Sequence, residues 1–509
     1  MSIKILSGTC SEFKAILIDI EVDISKGMPS FVIVGMADTA IKEAKERVRA
    51  AISNNGFKFP IGRITINLAP ASVRKNGSMF DLPIALALLI ETGQIHKKNL
   101  DDFIIFGELS LSGEIKRVNG AFPIFLEGIT NGINKFIIPS ANLNESELNG
   151  KTEFYPFNTL SEVVSFINFQ NIEPHRFKKV KKKEKKSIYD YSHIIGQESS
   201  KRAVVISAAG KHNLLFYGPT GCGKTLLASA MPSIMPMPSI NEMVEIARIY
   251  SISGLISKDY DLSVAPFRRI QNSITKAALI GGGTNIKAGE VTLANHGVLF
   301  VDELLEFNIN ILNTLREPLE DGFVTLNRNH GSLKLPANFI LLAALNICPC
   351  GKLKTNSYQD PECVCTESEI RHYQKKLSKA LIDRIDILNF VPPVSLNDIN
   401  NVSINTSSSD MKEKVIASRE IQKNRLKNTM YSYNSDIKGK DIFELCIVNK
   451  KIRQMLEFYF DSSKPSLRAY GKVIKLARTI SDIDEKYEIT QSSVIEAIEY
   501  RKDFNGQII

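Results

Sequence analysis

The residues best suited to do chemistry begin with GPTGCGKT, in which Gly218, Pro219, Thr220, Gly221, Cys222, Gly223, Lys224 and Thr225 follow the apolar run LLFY and precede the helical LLASAM. Glycines at the first and sixth positions let backbone N–H groups wrap a phosphate chain. Lys224 is then placed to reach the β/γ oxygens of ATP, and the Thr225 hydroxyl to hold Mg²⁺. Further on, GVLFVDEL is an apolar strand ending in two acids. Asp302 there would orient the Mg²⁺ shell and Glu303 would polarise an attacking water, because phosphoryl transfer depends on positioning and charge compensation. Acids after a buried strand can also be plain loop residues; an upstream phosphate loop makes the catalytic reading the stronger one.

A second constellation lies in NICPCGKLKTNSYQDPECVCTE, where Cys348 and Cys350 are followed by Cys363 and Cys365. Two close thiolate pairs suit tetrahedral Zn²⁺ in a closed structural site, which would staple the loop after the preceding strand. Free thiols or redox-labile pairs are the alternatives. A disulfide scaffold is not expected, since seven cysteines in 509 residues do not resemble the framework of a small secreted domain.

The elements that must position these groups follow from periodicity. LLFYG, VLFVDEL and FILLAAL are short apolar runs separated by helical stretches, the pattern of a parallel α/β sheet. Before them, FKAILIDIEVDI alternates, and FVIVG and ITINLAP are runs bounded by Gly or Pro, so three strands are expected. TAIKEAKERVRAAISNNG puts Ile41, Ala44, Val48, Ala51 and Ile52 on one helical stripe and ends in Asn-Gly. The spacing thus predicts an α+β domain over 1–165, a basic linker over 166–187 with Lys178, Lys179, Lys181, Lys182, Lys183, Lys185 and Lys186, an ATPase core over 188–394, and a helical domain over 395–509. Such a lysine run repels itself and reads as solvated chain, or as a phosphate contact. DGFVTLNRNHGSLKLPANF reads as a β-hairpin with Arg328 and Lys334 on its arms and His330 near its tip.

Composition narrows the class. With 43% hydrophobic residues the chain buries several cores, and its +9 formal charge is a weak pointer to a polyanionic partner. No apolar run reaches the roughly 18 residues that span a bilayer. The first residues meet Asp19, Glu21 and Asp23 before any cleavable apolar core, so a cytoplasmic protein without a membrane partner is expected.

At GPTGCGKT, GGGTNIKAGEVTLANHGVLFVDELLEF, LREPLEDG, ALNICPCGK and ALIDRIDI, in this order, the chain resembles the magnesium-chelatase-like AAA+ ATPases of the ComM/YifB family. The resemblance implies an α/β AAA+ P-loop core with a C-terminal helical lid. It makes Asn346, at the end of FILLAAL, a polar sensor for the γ-phosphate or lytic water. It makes Arg384 an arginine finger acting on a neighbouring subunit, with Arg316 a second candidate, and Arg468 a sensor-2 arginine. The residues alone also allow Arg384 an intramolecular ion pair with Asp383 or Asp386, and the hairpin a plain exposed role. As a family feature the hairpin projects into a ring pore, where Arg328 and Lys334 grip the DNA backbone. The activity implied is that of a homo-oligomeric, hexameric DNA helicase, an ATP hydrolase promoting branch migration during natural transformation. Where family members carry R-P-F-R-x-P-H-H, this chain has APFRRIQNS, which keeps Pro266, Phe267 and Arg268 but lacks the histidine pair.

The first domain is similar to the Lon protease fold, through RKNGSMFDLPIAL and FGELSLSGEIKRVNGAFP. The positions of Lon's serine and lysine hold Met79 and Phe122, which can act neither as nucleophile nor as base, although Ser78 is adjacent. The alternatives to a DNA motor are an AAA+ protein remodeller or chaperone, an ATP-dependent protease-like factor, and a metal-inserting chelatase subunit.

Overall fold

The computed structural model describes residues 3–502 apart from 12, 37, 39–40, 42, 74, 76, 97–99, 147–151, 170–171, 177–188, 258–259, 284–285, 329–330, 354–361, 395–405 and 464–465. The lysine run Lys178–Lys186 and His330 lie outside the described residues. Contacts divide the chain into two compact units, Met1–Lys183 with Ile240–Leu262, and Glu184–Ser239 with Ser263–Ile509.

The first unit holds a seven-stranded mixed sheet in the order Ser30–Val34, Arg63–Ala69, Lys14–Ser25, Ile3–Ser11, Phe103–Ile105, Lys135–Pro139, Glu153–Phe157. Alternation along Lys14–Ser25 turns Ile18, Ile20 and Val22 fully inward. Helix Ala44–Asn54 buries Ala44, Val48, Ala51 and Ile52, four of the five residues of the stripe read from its spacing; the fifth, Ile41, is buried just before the helix begins. The helix Ile240–Ile252 belongs to this unit although it lies far along the chain. Its Ser251 accepts the Phe122 N–H at 3.2 Å and donates to the buried Glu145, which also takes Asn142 Nδ2 at 2.8 Å and Arg117 at 3.2 Å. A buried carboxylate needs that many donors to offset its lost hydration, and Ser251, one of them, ties the helix to this unit.

The second unit is built on five parallel strands in the order Phe267–Ile270, Val298–Val301, Ile340–Asn346, Leu214–Gly218, Ile387–Phe390. Leu214, Phe216, Val298, Phe300, Leu342 and Ala344 join one core cluster. Leu215, Tyr217, Leu299, Val301, Leu341, Ala343 and Leu345 join another. Both faces are covered, which is why these strands are continuous apolar runs rather than alternating ones. The chain ends in helices, among them Ser408–Leu426, Leu467–Ile483 and Gln491–Glu499, each begun by a side chain that caps the first turn: Ser407, Ser466 and Thr490. Among the described residues no helix is long and apolar enough to cross a membrane.

Candidate functional site

The site forms where three neighbouring strands of the second unit end together. Strand Leu214–Gly218 feeds the loop 219–223, and helix Lys224–Ser229 starts at once. Gly223 occupies its N-cap with φ +92°, a left-handed conformation that costs a side-chain-bearing residue about 1–2 kcal/mol. The register sets Gly218 beside Asn346 on the adjacent strand. In consequence Lys224 Nζ donates to Gly218 O at 3.0 Å, Pro219 O at 2.5 Å and Asn346 Oδ1 at 3.1 Å. The ammonium is buried among these oxygens, and burial lowers its pKa from the ordinary lysine value. Lys224 and Asn346 therefore share one position, although 122 residues separate them.

On the next strand over, Asp302 accepts the Thr225 hydroxyl at 3.1 Å and 3.3 Å. A hydroxyl and a carboxylate held together are hard oxygen donors of the kind that suit octahedral Mg²⁺. Glu303 follows with φ +51° and ψ +50°, the left-handed region, which costs a non-glycine residue about 1–3 kcal/mol and tends to be retained at functional sites. That backbone turns the exposed Glu303 away from the course of its strand at the mouth of the same site.

Sequence reasoning missed a third partner. Arg269, on the edge strand beside Val298–Val301, pairs with Asp302 at 2.7 Å and lies over the Phe300 ring at 5.5 Å. Arg268 turns the other way, to Glu290, at 2.6 Å and 2.8 Å. The stretch APFRRIQNS had stood out for its lost histidines, and nothing in its spacing distinguishes the two arginines. Only the register Arg269↔Phe300 shows which of them faces the acid.

The other arginines gather elsewhere in the unit. Arg384 pairs with Glu320 and donates to Ala380 O at 2.6 Å and Arg316 O at 3.1 Å. Its carboxylate partner is Glu320, not Asp383 or Asp386, the two acids adjacent in sequence; Asp386 instead takes Lys472 at 2.8 Å. Arg468 reaches the same Glu320 at 2.9 Å and Asp383 at 3.6 Å. Arg384 and Arg468 thus share one carboxylate, with the Arg316 carbonyl beside them, and among the described contacts neither arginine hydrogen-bonds to the loop 219–223. The hairpin Phe323–Arg328/Gly331–Pro336 is anchored by the buried Val324 and Leu335. Lys334 is exposed on its arm with Nζ 4.4 Å from the Phe323 ring centre. Arg328 ends the first strand, opposite Gly331, and its side chain lies outside the described residues.

The four cysteines converge as a set. Sγ separations are 3.4 Å for Cys348–Cys350, 3.6 Å for Cys350–Cys363 and 3.7 Å for Cys363–Cys348, and all four sulfurs lie within 4.8 Å of one another. Tetrahedral zinc with Zn–S bonds of about 2.3 Å spaces its thiolates about 3.8 Å apart, so the donor set fits that ion. Burial pushes the Cys350 thiol up, but the Lys352 amide and the neighbouring thiols outweigh it and bring the group down to about 6. Burial and those same neighbours push Cys363 up to about 12. Thiolates this close oppose one another's ionisation, and a cation is what lets all four carry charge together.

In the first unit, Met79 and Phe122 are buried apolar residues and Ser78 donates to Glu108. Neither Met79 nor Phe122 carries a nucleophile or a base; the hydroxyl next to Met79 is held by the Glu108 carboxylate.

Known proteins match this chain along nearly its whole length. The family described as magnesium chelatase, subunit ChlI, matches residues 190–399; subunit ChlI of Mg-chelatase matches 20–142, and its C-terminal family 405–501. Competence protein ComM of Haemophilus influenzae is 37% identical over 508 residues, covering 98% of each chain. YifB of Escherichia coli is 37% identical over 490 residues, 95% of this chain and 94% of its own. The magnesium-chelatase 38 kDa subunit of Rhodobacter capsulatus is 25% identical over 177 residues, 31% of this chain and 50% of its own. Full-length coverage at that identity, with the strand-end site described above, means that the chain belongs to the ComM/YifB family of magnesium-chelatase-like proteins.

Proposed function

We propose that this chain is a cytoplasmic AAA+ ATP hydrolase that moves on DNA, a hexameric helicase promoting branch migration when DNA taken up in natural transformation recombines. The observation that carries the reading is the meeting of Lys224, Thr225, Asp302 and Asn346 at the ends of three adjacent strands. Lys224 would leave the oxygens of Gly218, Pro219 and Asn346 for the β/γ-phosphates. Thr225 and Asp302 would hold Mg²⁺, which supplies charge compensation on the phosphate oxygens. Glu303 would take a proton from water, and Asn346 would orient that water or the γ-phosphate. Arg384, with Arg316 as the second candidate, would act on the nucleotide of a neighbouring subunit. Arg468, at the start of its helix, would follow the γ-phosphate from a C-terminal lid. Cys348, Cys350, Cys363 and Cys365 would hold Zn²⁺ as a folding staple. The first unit would be a Lon-like domain without peptidase activity, in keeping with Met79 and Phe122. DNA would contact the hairpin at Arg328 and Lys334, and the relative named a competence protein supports that partner.

The test is hydrolysis by the purified full-length chain with and without single-stranded and forked DNA, followed by strand separation on forked, three-stranded and four-stranded substrates. DNA should raise the rate, and Glu303→Gln should abolish separation. Unstimulated hydrolysis without strand separation would sink the DNA reading, and ATP-dependent casein degradation would favour the protease alternative.

Arg269 gives a narrower expectation. Its guanidinium and Mg²⁺ compete for Asp302, so Arg269→Ala should lower the Mg²⁺ concentration for half-maximal hydrolysis by roughly fivefold, the worth of a partly exposed ion pair of about 1 kcal/mol. A rise in that concentration in a Mg²⁺ titration would mean that Arg269 orients the acid rather than competing for it.

A further inference from the structure

The cysteine cluster and the phosphate loop meet at one pair of residues. Gly351, directly after Cys350, turns with φ +71° and donates its N–H to Cys348 O at 3.1 Å. Its carbonyl accepts two bonds from Thr220, from the backbone N–H at 2.8 Å and from the hydroxyl at 3.2 Å. Thr220 is the third residue of GPTGCGKT. The approach is close enough that a Cβ on Gly351 would lie 2.3 Å from Thr220 Cγ2. Only glycine gives both this conformation and this clearance.

The shape of the 348–353 turn depends in turn on its sulfurs. The Leu353 N–H donates to Cys348 Sγ at 3.4 Å, and the Lys352 amide bonds Cys350. Such N–H···S bonds strengthen when the sulfur carries negative charge, as it does when bound to a metal. The same segment begins two residues after Asn346, which accepts from Lys224. The loop that carries the first two thiols is therefore tied to the phosphate loop at Thr220 and, through its own strand, at Lys224.

We propose that a zinc-type cation in the four-cysteine site sets the nucleotide affinity of the P-loop through the Gly351–Thr220 contact. With the metal bound, the turn holds its carbonyl against Thr220, so the loop is already shaped for the phosphates and less ordering remains to be done on binding. Without the metal nothing pins the four sulfurs at their present spacing, the turn loosens, and Thr220 loses both bonds. The proposal rests on the readings of the P-loop as a nucleotide site and of the cysteines as a metal site. Its own content is the coupling between them.

Equilibrium binding of ADP to the full-length protein tests it, with zinc content measured on the same samples. Stripping the metal with a chelator should weaken ADP by roughly tenfold, the scale of losing one to two hydrogen bonds, and zinc chloride alone should restore it. Gly351→Ala should weaken ADP to a similar degree while zinc remains stoichiometric. Thr220→Ser, which removes Cγ2 and keeps the hydroxyl, should recover the part of that loss due to the clash in the double variant, leaving the part due to alanine at φ +71°. Equal affinity of stripped and reloaded protein would overturn the coupling, as would a Gly351→Ala defect that Thr220→Ser leaves untouched. Wild type that binds ADP no better than Lys224→Ala would overturn the nucleotide reading beneath it, and protein that takes up no zinc would overturn the metal reading.

Discussion

Glu303→Gln should keep ATP bound and lose turnover by roughly 10²–10⁴-fold, the contribution of a positioned general base. Glutamine preserves the volume and the hydrogen-bonding reach of the side chain but cannot accept a proton from water. The left-handed backbone at Glu303, with φ +51°, is a property of the turn rather than of the carboxylate, so the substitution leaves the site's shape intact. Lys224→Ala should behave differently. It removes the ammonium that sits against Gly218 O, Pro219 O and Asn346 Oδ1, taking away the positive charge proposed to meet the phosphates and a group that fixes the loop. Affinity and turnover should then fall together. Nucleotide binding measured beside single-turnover hydrolysis separates the two patterns, since loss of an interaction made only in the transition state spares the ground state. Equal defects of both kinds in the two variants would mean that Glu303 is not the base.

What could be read from the sequence, and what could not, divides along a physical line. LLFYGPTGCGKT announces a strand, a loop and a helix because a buried parallel strand is apolar at every residue and a phosphate-wrapping loop must be glycine-rich. The helix stripe Ala44, Val48, Ala51, Ile52 was legible for the same reason, as each signal is local. Nothing local records that Arg269 faces Asp302 while Arg268 faces Glu290, because that is decided by the register between two strands about thirty residues apart. Glu320 was equally hidden. It lies on a short helix in LREPLEDG and gathers Arg384 and Arg468 from two distant segments, whereas sequence proximity had offered Asp383 and Asp386. No sequence signal ties the helix Ile240–Ile252 to the first unit, where its Ser251 meets Glu145 across 106 residues. In each case the missing information was a partner, not a propensity.

Asp482→Ala should be the most damaging substitution for stability away from the nucleotide site. Asp482 is 1% exposed and accepts from Arg425 at 2.7 Å and 2.8 Å, from Arg478 at 3.0 Å and 3.1 Å, and from Asn434 at 2.8 Å. Arg478 is itself fully buried, and its remaining donors go to Tyr487 O and Lys486 O. Removing the carboxylate leaves two guanidinium groups, one wholly out of water, without a counter-charge. Orphaning a buried ion costs about 3–5 kcal/mol, to be read as a shift in the urea transition of the second unit. Replacing Asp482 and Arg478 together by apolar residues should cost less than Asp482→Ala alone, because both ends of the pair then leave with their desolvation penalties. A double variant no more stable than the single one would show that the cluster acts through packing instead of charge. The helix that carries Asp482 also carries Arg468 in its first turn. Loosening the buried end would therefore free the arginine that meets Glu320 at the other, and hydrolysis should fall under conditions in which the unit is still folded.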